Sequence, residues 1–220
     1  AAGADSSQLA MLPRLPETAD EIRSIALAMQ ADLARDVFLG ERASEQAVKT
    51  LDLHGYRVIV FATHGLVPGD LDGLSQPALA LAAPEVTKGD GDGLLTMEEI
   101  LGLKLNADWV VLSACNTASG NGSGSEAISG LGRAFFYAGA RALLVSAWPV
   151  ETHSARALTT DLFQRQRAQA GLGRAQALQA TMNALIDSPG YIDPRTQQTV
   201  FSYAHPIFWA PFILVGDGGI

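Results

Sequence analysis

Two residues capable of proton or nucleophile chemistry close two of the most apolar runs in the chain. The run "VIVFATHG" ends in His64 and Gly65, and "WVVLSACNT" carries Cys115, the only cysteine, just past its apolar part. A thiol attacks a carbonyl as its thiolate, and a free thiol with a pKa of about 8.5 is ionised to only a few per cent at neutral pH. A neighbouring imidazole takes up the proton and later returns one to a leaving amine. Both groups must then be held rigidly within hydrogen-bond reach, which the ends of two adjacent strands provide. Gly65 adds a backbone N–H that no Cβ shields. With the N–H of Cys115 it makes a two-donor cradle for a developing oxyanion.

The blander reading treats Cys115 as a small buried hydrophobe and His64 as a packed side chain. Their shared position at strand ends, the glycine after the histidine and their separation of 51 residues favour chemistry. The other histidines suggest less: His54 lies in a turn, His153 in a first helical turn and His205 before Pro206. With one cysteine they show no metal-ligand spacing, so no metal is expected. Ser113 and Ser146 also lie near strand ends but lack the G-x-S-x-G elbow that exposes a nucleophilic serine. "KGDGDGLLTMEE" imitates a calcium loop, yet Lys88 occupies its first ligand position, and Thr96 with Glu99 reads as a helix cap. "GNGSGS" lacks the residues of a phosphate loop and reads as a mobile or processed loop within 116–125.

Stepping along the chain, 1–16 reads as a lead-in and 17–220 as one domain. Thr18 and Glu21 have capping-box spacing ahead of a helix with Ile22, Ile25 and Met29 on one face. A short strand is expected over 35–40, then a helix capped by Ser44, and later helices near 126–140, 151–167 and 173–187. Strands at 58–62, 109–113 and 142–146 are continuous in Val, Ile and Leu, and "FWAPFILVGDGG" supplies a last one. Strands apolar on both sides belong in a sheet covered on both faces, so the fold class is α/β with a mainly parallel sheet. Sites in such sheets gather beyond the carboxyl ends of the strands, where His64 and Cys115 fall.

Composition bounds the function. The 220 residues are 48% hydrophobic and 17% charged, with net charge −8, which gives no support for a nucleic-acid partner. A lone cysteine excludes an internal disulfide and suits a reducing compartment. No run approaches the roughly 18 to 20 apolar residues that cross a bilayer, and the N-terminus does not read as a secretory signal. The start, without Met, reads as a piece of a longer protein.

The segments "YRVIVFATHGL", "DGLLTMEEILGLKLNADWVVLSACNTASG", "GLGRAFFYAGARALLVSAWPVE" and "FWAPFILVGD" resemble the CHAT family of caspase-like cysteine peptidases. That resemblance implies a three-layer α/β/α sandwich, a dyad of His64 as acid and base with Cys115 as nucleophile, and no cofactor. It further implies a bacterial, cytoplasmic peptidase acting on protein or peptide substrates. Control would come from an attached domain or partner, since such domains accompany TPR-type repeats. In related peptidases the segment matching "SAWPVET" lines the pocket for the residue before the cleaved bond. Trp148 would form an apolar wall there, and Glu151 would pair with a basic side chain, with Asp70 and Asp72 as rival acids. The bland reading of Glu151 is a helix start, where an acid favours the dipole. The rival functions are a catalytically inactive scaffold of the same fold and a nucleotide-binding α/β domain, the latter disfavoured by the missing phosphate motifs.

Overall fold

The computed structural model describes residues 4–89, 91–113 and 123–219. The first half runs α1 (Thr18–Ala28), α2 (Leu33–Asp36), α3 (Glu45–Thr50), β1 (Val58–Phe61), β2 (Gly65–Leu66), β3 (Ala78–Ala80) and α4 (Pro84–Thr87). There follow β4 (Leu94–Thr96), α5 (Met97–Leu101), β5 (Trp109–Leu112), α6 (Ser123–Ala138) and β6 (Ala142–Ser146). The chain closes with α7 (Thr152–Ala168), α8 (Arg174–Asp187), β7 (Tyr191–Ile192), β8 (Thr199–Phe201) and β9 (Phe212–Gly216).

The main sheet has the order β1-β5-β6-β9. β1 pairs with β5 and β5 with β6 in parallel, whereas β9 runs antiparallel to β6. The apolar runs split their side chains between two cores, as a period of two demands. Val110, Leu112, Leu143 and Val145 face Ile100 of α5 and Leu131 and Phe135 of α6. Trp109, Val111, Ala142 and Leu144 face Ile25 of α1, Leu158 and Phe163 of α7 and Leu178 of α8. Helices therefore cover both faces, the α/β/α arrangement expected from the sequence. A third, smaller core forms around the antiparallel sheet β2-β3-β4, where Leu9 of the lead-in packs with Leu66, Leu71 and Leu74.

Two local expectations are corrected. Residues 35–40 form no strand: Asp32 caps α2 by accepting from the N–H groups of Ala34 and Arg35, so the backbone enters a helical turn. Val37 and Leu39 then have extended backbone but belong to no strand. Thr18 and Glu21 make no capping box either. The Thr18 hydroxyl donates to Leu15 O, and Glu21 turns inward and is only 4% exposed. The other capping box, Thr96 with Glu99, is present, and Ser44 caps α3.

Candidate active site

The parallel strands β1, β5 and β6 present their carboxyl ends on one rim of the sheet, and the sequence candidates follow from those ends. Phe61 lies opposite Leu112 in register. His64 comes three residues after Phe61, and Cys115 comes three residues after Leu112 in the sequence. Cys115 itself and most of the loop 116–125, like Asp90, lie outside the described residues.

His64 is fixed from an unexpected direction. Its Nε2 lies 2.7 Å from the carbonyl oxygen of Pro13. A carbonyl oxygen only accepts, so Nε2 carries a hydrogen and donates it to Pro13. The lead-in that supplies Pro13 is itself tied down. Asp5 N–H donates to Asp72 O at 2.8 Å, and Gln8 exchanges hydrogen bonds with Asp72 at 2.8 and 2.9 Å. Beside the imidazole opens a cavity of about 600 Å³ whose walls include Leu12, Leu15, Phe38, Ala62 and Leu81.

Gly65 begins β2 and is buried. Ala80 N–H donates to His64 O at 2.9 Å, which makes residues 64 and 80 a hydrogen-bonded pair of the antiparallel ladder. Gly65, opposite Leu79, falls in the next pair, whose N–H groups point away from the partner strand. The Gly65 donor is therefore directed away from β3.

Trp148 follows the end of β6 and is 41% exposed. Glu151 caps α7, accepting from the N–H of His153 at 2.9 Å and of Ser154 at 2.8 Å with its two carboxylate oxygens. The helix-start reading of Glu151 thus describes its hydrogen bonds. Its charge still reaches Tyr203, whose phenol is pushed up to about 12, first by burial and then by Glu151. Asp70 is exposed in the loop after β2, where it accepts from Val67 N–H at 2.8 Å. His153 stacks on Tyr191 with ring centroids 3.8 Å apart, and His205 caps a short turn through Nδ1. Among the described residues no cluster of His, Cys, Asp and Glu is arranged to hold a metal ion.

Sequence reasoning missed two groups. Pro13 lies in a stretch whose sequence reads as a lead-in, and no local pattern announces a contact with a residue so far along the chain. Glu21 has the spacing of a helix cap from Thr18, but its spacing from Ile25 and Ala28 (i, i+4, i+7) marks the buried face of α1. Its Oε2 accepts from the Ser113 hydroxyl at 3.0 Å, and its Oε1 lies 3.3 Å from Thr159 Oγ1 of α7. Burial is the largest influence on the Glu21 carboxyl and pushes it above its ordinary value. Ser113, weighed as a rival nucleophile, is buried and turned toward this carboxyl.

The fold is an α/β/α sandwich with a mainly parallel central sheet, consistent with a caspase-like fold. The sequence pattern of the CHAT domain matches residues 2–217, nearly the whole chain, and the chain belongs to that family. It is also similar to tetratricopeptide repeat protein 28 of Mus musculus, with 31% identity over 128 residues, 56% of this chain and 4% of that protein. The Homo sapiens counterpart is 29% identical over the same share of each. The chain thus corresponds to a small part of the length of these relatives.

Proposed function

We propose that the chain is a cysteine endopeptidase in which Cys115 is the nucleophile and His64 the acid and base. The imidazole takes the thiol proton, and the thiolate sulfur bonds to the scissile carbonyl carbon. The resulting oxyanion accepts hydrogen bonds from the N–H groups of Gly65 and Cys115. Collapse breaks the C–N bond, the imidazolium gives its proton to the departing amine, and a thioester remains. Water, deprotonated by the same imidazole, attacks the thioester and releases the carboxylic acid and the thiol. The observation that carries this reading is the paired register of Phe61 and Leu112 on adjacent parallel strands, each three residues before one member of the dyad. The hydrogen bond of His64 Nε2 to Pro13 O supports it further, because it engages Nε2 and leaves Nδ1 for proton transfer.

Substrates are protein or peptide chains, with a lean toward cleavage after Lys or Arg. Trp148 is the apolar wall, and Glu151 or Asp70 is the attracting acid. The setting is bacterial and cytoplasmic, with activity governed by an attached domain or partner. The similarity to a tetratricopeptide repeat protein supports a protein partner. Digestion of a peptide library by wild type and Cys115→Ala, read by mass spectrometry, tests the proposal. Cuts made by wild type and absent from the variant are expected. A wild-type digest indistinguishable from the variant's would leave the inactive scaffold.

A further inference from the structure

Glu21 has no place in the chemistry above, yet it sits beneath the nucleophile strand. We infer that Glu21 is a positioning residue for Cys115, holding the carboxyl end of β5 through Ser113 as an uncharged carboxylic acid. This inference rests on the proposed dyad.

The protonation state follows from counting hydrogens. The Thr159 hydroxyl has one proton and lies 2.9 Å from Ala155 O and 3.3 Å from Glu21 Oε1. Ala155 O can only accept, and a threonine in a helix commonly bonds back to the carbonyl four residues earlier. With that proton so placed, a Thr159 lone pair faces Glu21 Oε1. The contact is then a hydrogen bond only if the acid itself supplies a proton. Glu21 Oε1–H donates to Thr159, and Ser113 Oγ–H donates to Glu21 Oε2. Every group is satisfied without a charge. A buried carboxylate would want a cation, and among the described residues no Lys, Arg or His pairs with Glu21. Its elevated carboxyl agrees with the neutral form.

The consequence is a closed set of links. Ser113 N–H donates to Phe61 O at 2.9 Å, joining the ends of β5 and β1. Its hydroxyl joins β5 to α1 through Glu21. The segment leading into α1 carries the Pro13 carbonyl that holds His64. One short stretch, Pro13 to Glu21, therefore grips both strand ends that carry the dyad. Ser113 is two residues before Cys115 in the sequence, so losing the anchor of Ser113 is expected to disturb the reactivity of the nucleophile.

The test compares wild type, Glu21→Ala, Glu21→Gln and Ser113→Ala. It reads kcat and KM on a peptide cut by wild type, and the iodoacetamide alkylation rate of Cys115 from pH 5 to 9. Glutamine mimics the neutral acid, since its amide donates to Thr159 and its carbonyl accepts from Ser113. Glu21→Ala lowers kcat about 10- to 100-fold with KM within about threefold, because small misplacements cost rate rather than binding. Glu21→Gln restores most of that loss, and Ser113→Ala reproduces most of it. Alkylation in Glu21→Ala moves toward the pH dependence of an ordinary thiol. If wild type cuts no peptide, the peptidase reading fails, while alkylation still decides the positioning role. Wild-type alkylation in both Glu21→Ala and Ser113→Ala overturns the inference, as does Glu21→Gln proving as damaging as Glu21→Ala. Circular dichroism confirms folding, and if Glu21→Ala unfolds, Ser113→Ala carries the comparison.

Discussion

Replacing Glu21 by glutamine is predicted to change how stability responds to pH. The folded-state carboxyl is raised above its unfolded value, near 4.5. Such a group stabilises the fold fully while both states are protonated, and that contribution is lost as pH climbs through the folded value. Glutamine cannot ionise, so the stability of wild type minus that of Glu21→Gln should be largest near pH 4 and fall as pH rises. The steepest slope is about 1.4 kcal/mol per pH unit, the linkage limit for one proton. The difference levels off once pH exceeds the folded value. Glu21→Ala separates geometry from charge. It leaves the buried Ser113 hydroxyl without this acceptor, at about 1–3 kcal/mol, while Thr159 keeps Ala155 O at 2.9 Å. Some loss of packing at a site 4% exposed adds to this, for a total of about 2–4 kcal/mol at pH 5. Urea unfolding curves at half-unit steps from pH 4 to 8 read both quantities. A difference between wild type and Glu21→Gln that grows with pH would mean Glu21 is a stabilised carboxylate, and the neutral-acid argument would be wrong.

Other consequences are simpler to check. Arg174 is 2% exposed, with Nε donating to Asp108 O at 3.0 Å and Nη1 to Gly219 O at 3.0 Å. It also pairs with Asp108 and Asp217 at 3.2 and 3.3 Å, so Arg174→Ala is expected to cost about 3–5 kcal/mol in urea unfolding. The exposed Arg195, 3.8 Å from Asp193, should lose less than about 1 kcal/mol in the same assay. Gly139 has φ +113° and an added Cβ would lie 2.3 Å from Leu105 O, so Gly139→Ala should destabilise by more than about 1 kcal/mol. Removing residues 1–13 takes away the Pro13 carbonyl, and kcat of the shortened chain should fall while the fold, by circular dichroism, persists.

What the sequence revealed depended on how local the physics was. The strands Val58–Phe61, Trp109–Leu112 and Ala142–Ser146 were legible because a sheet covered on both faces needs apolar residues at every position. The helix starts at Ser44 and Thr96 were legible because caps are set by residues three apart. The same signal misled at Thr18 and Glu21, where burial against β5 and α7 outweighed a cap. Val37–Leu39 are as apolar as a strand, but the Asp32 cap and the turn of α2 deny them a ladder partner. β2, β7 and β8, two or three residues long, are too short for any period to register. At the candidate site, residue types and spacing marked His64, Gly65 and Cys115. The grip of Pro13 and Glu21 on the strand ends arises only when distant segments pack.

The most direct test is the alkylation rate of Cys115 against pH in wild type and His64→Ala. If the imidazole at 64 serves the sulfur at 115, wild type reacts readily below pH 7 and the variant loses that low-pH reactivity, following a thiol that ionises near 8.5. Two superimposable profiles, both rising only near 8.5, would contradict the dyad.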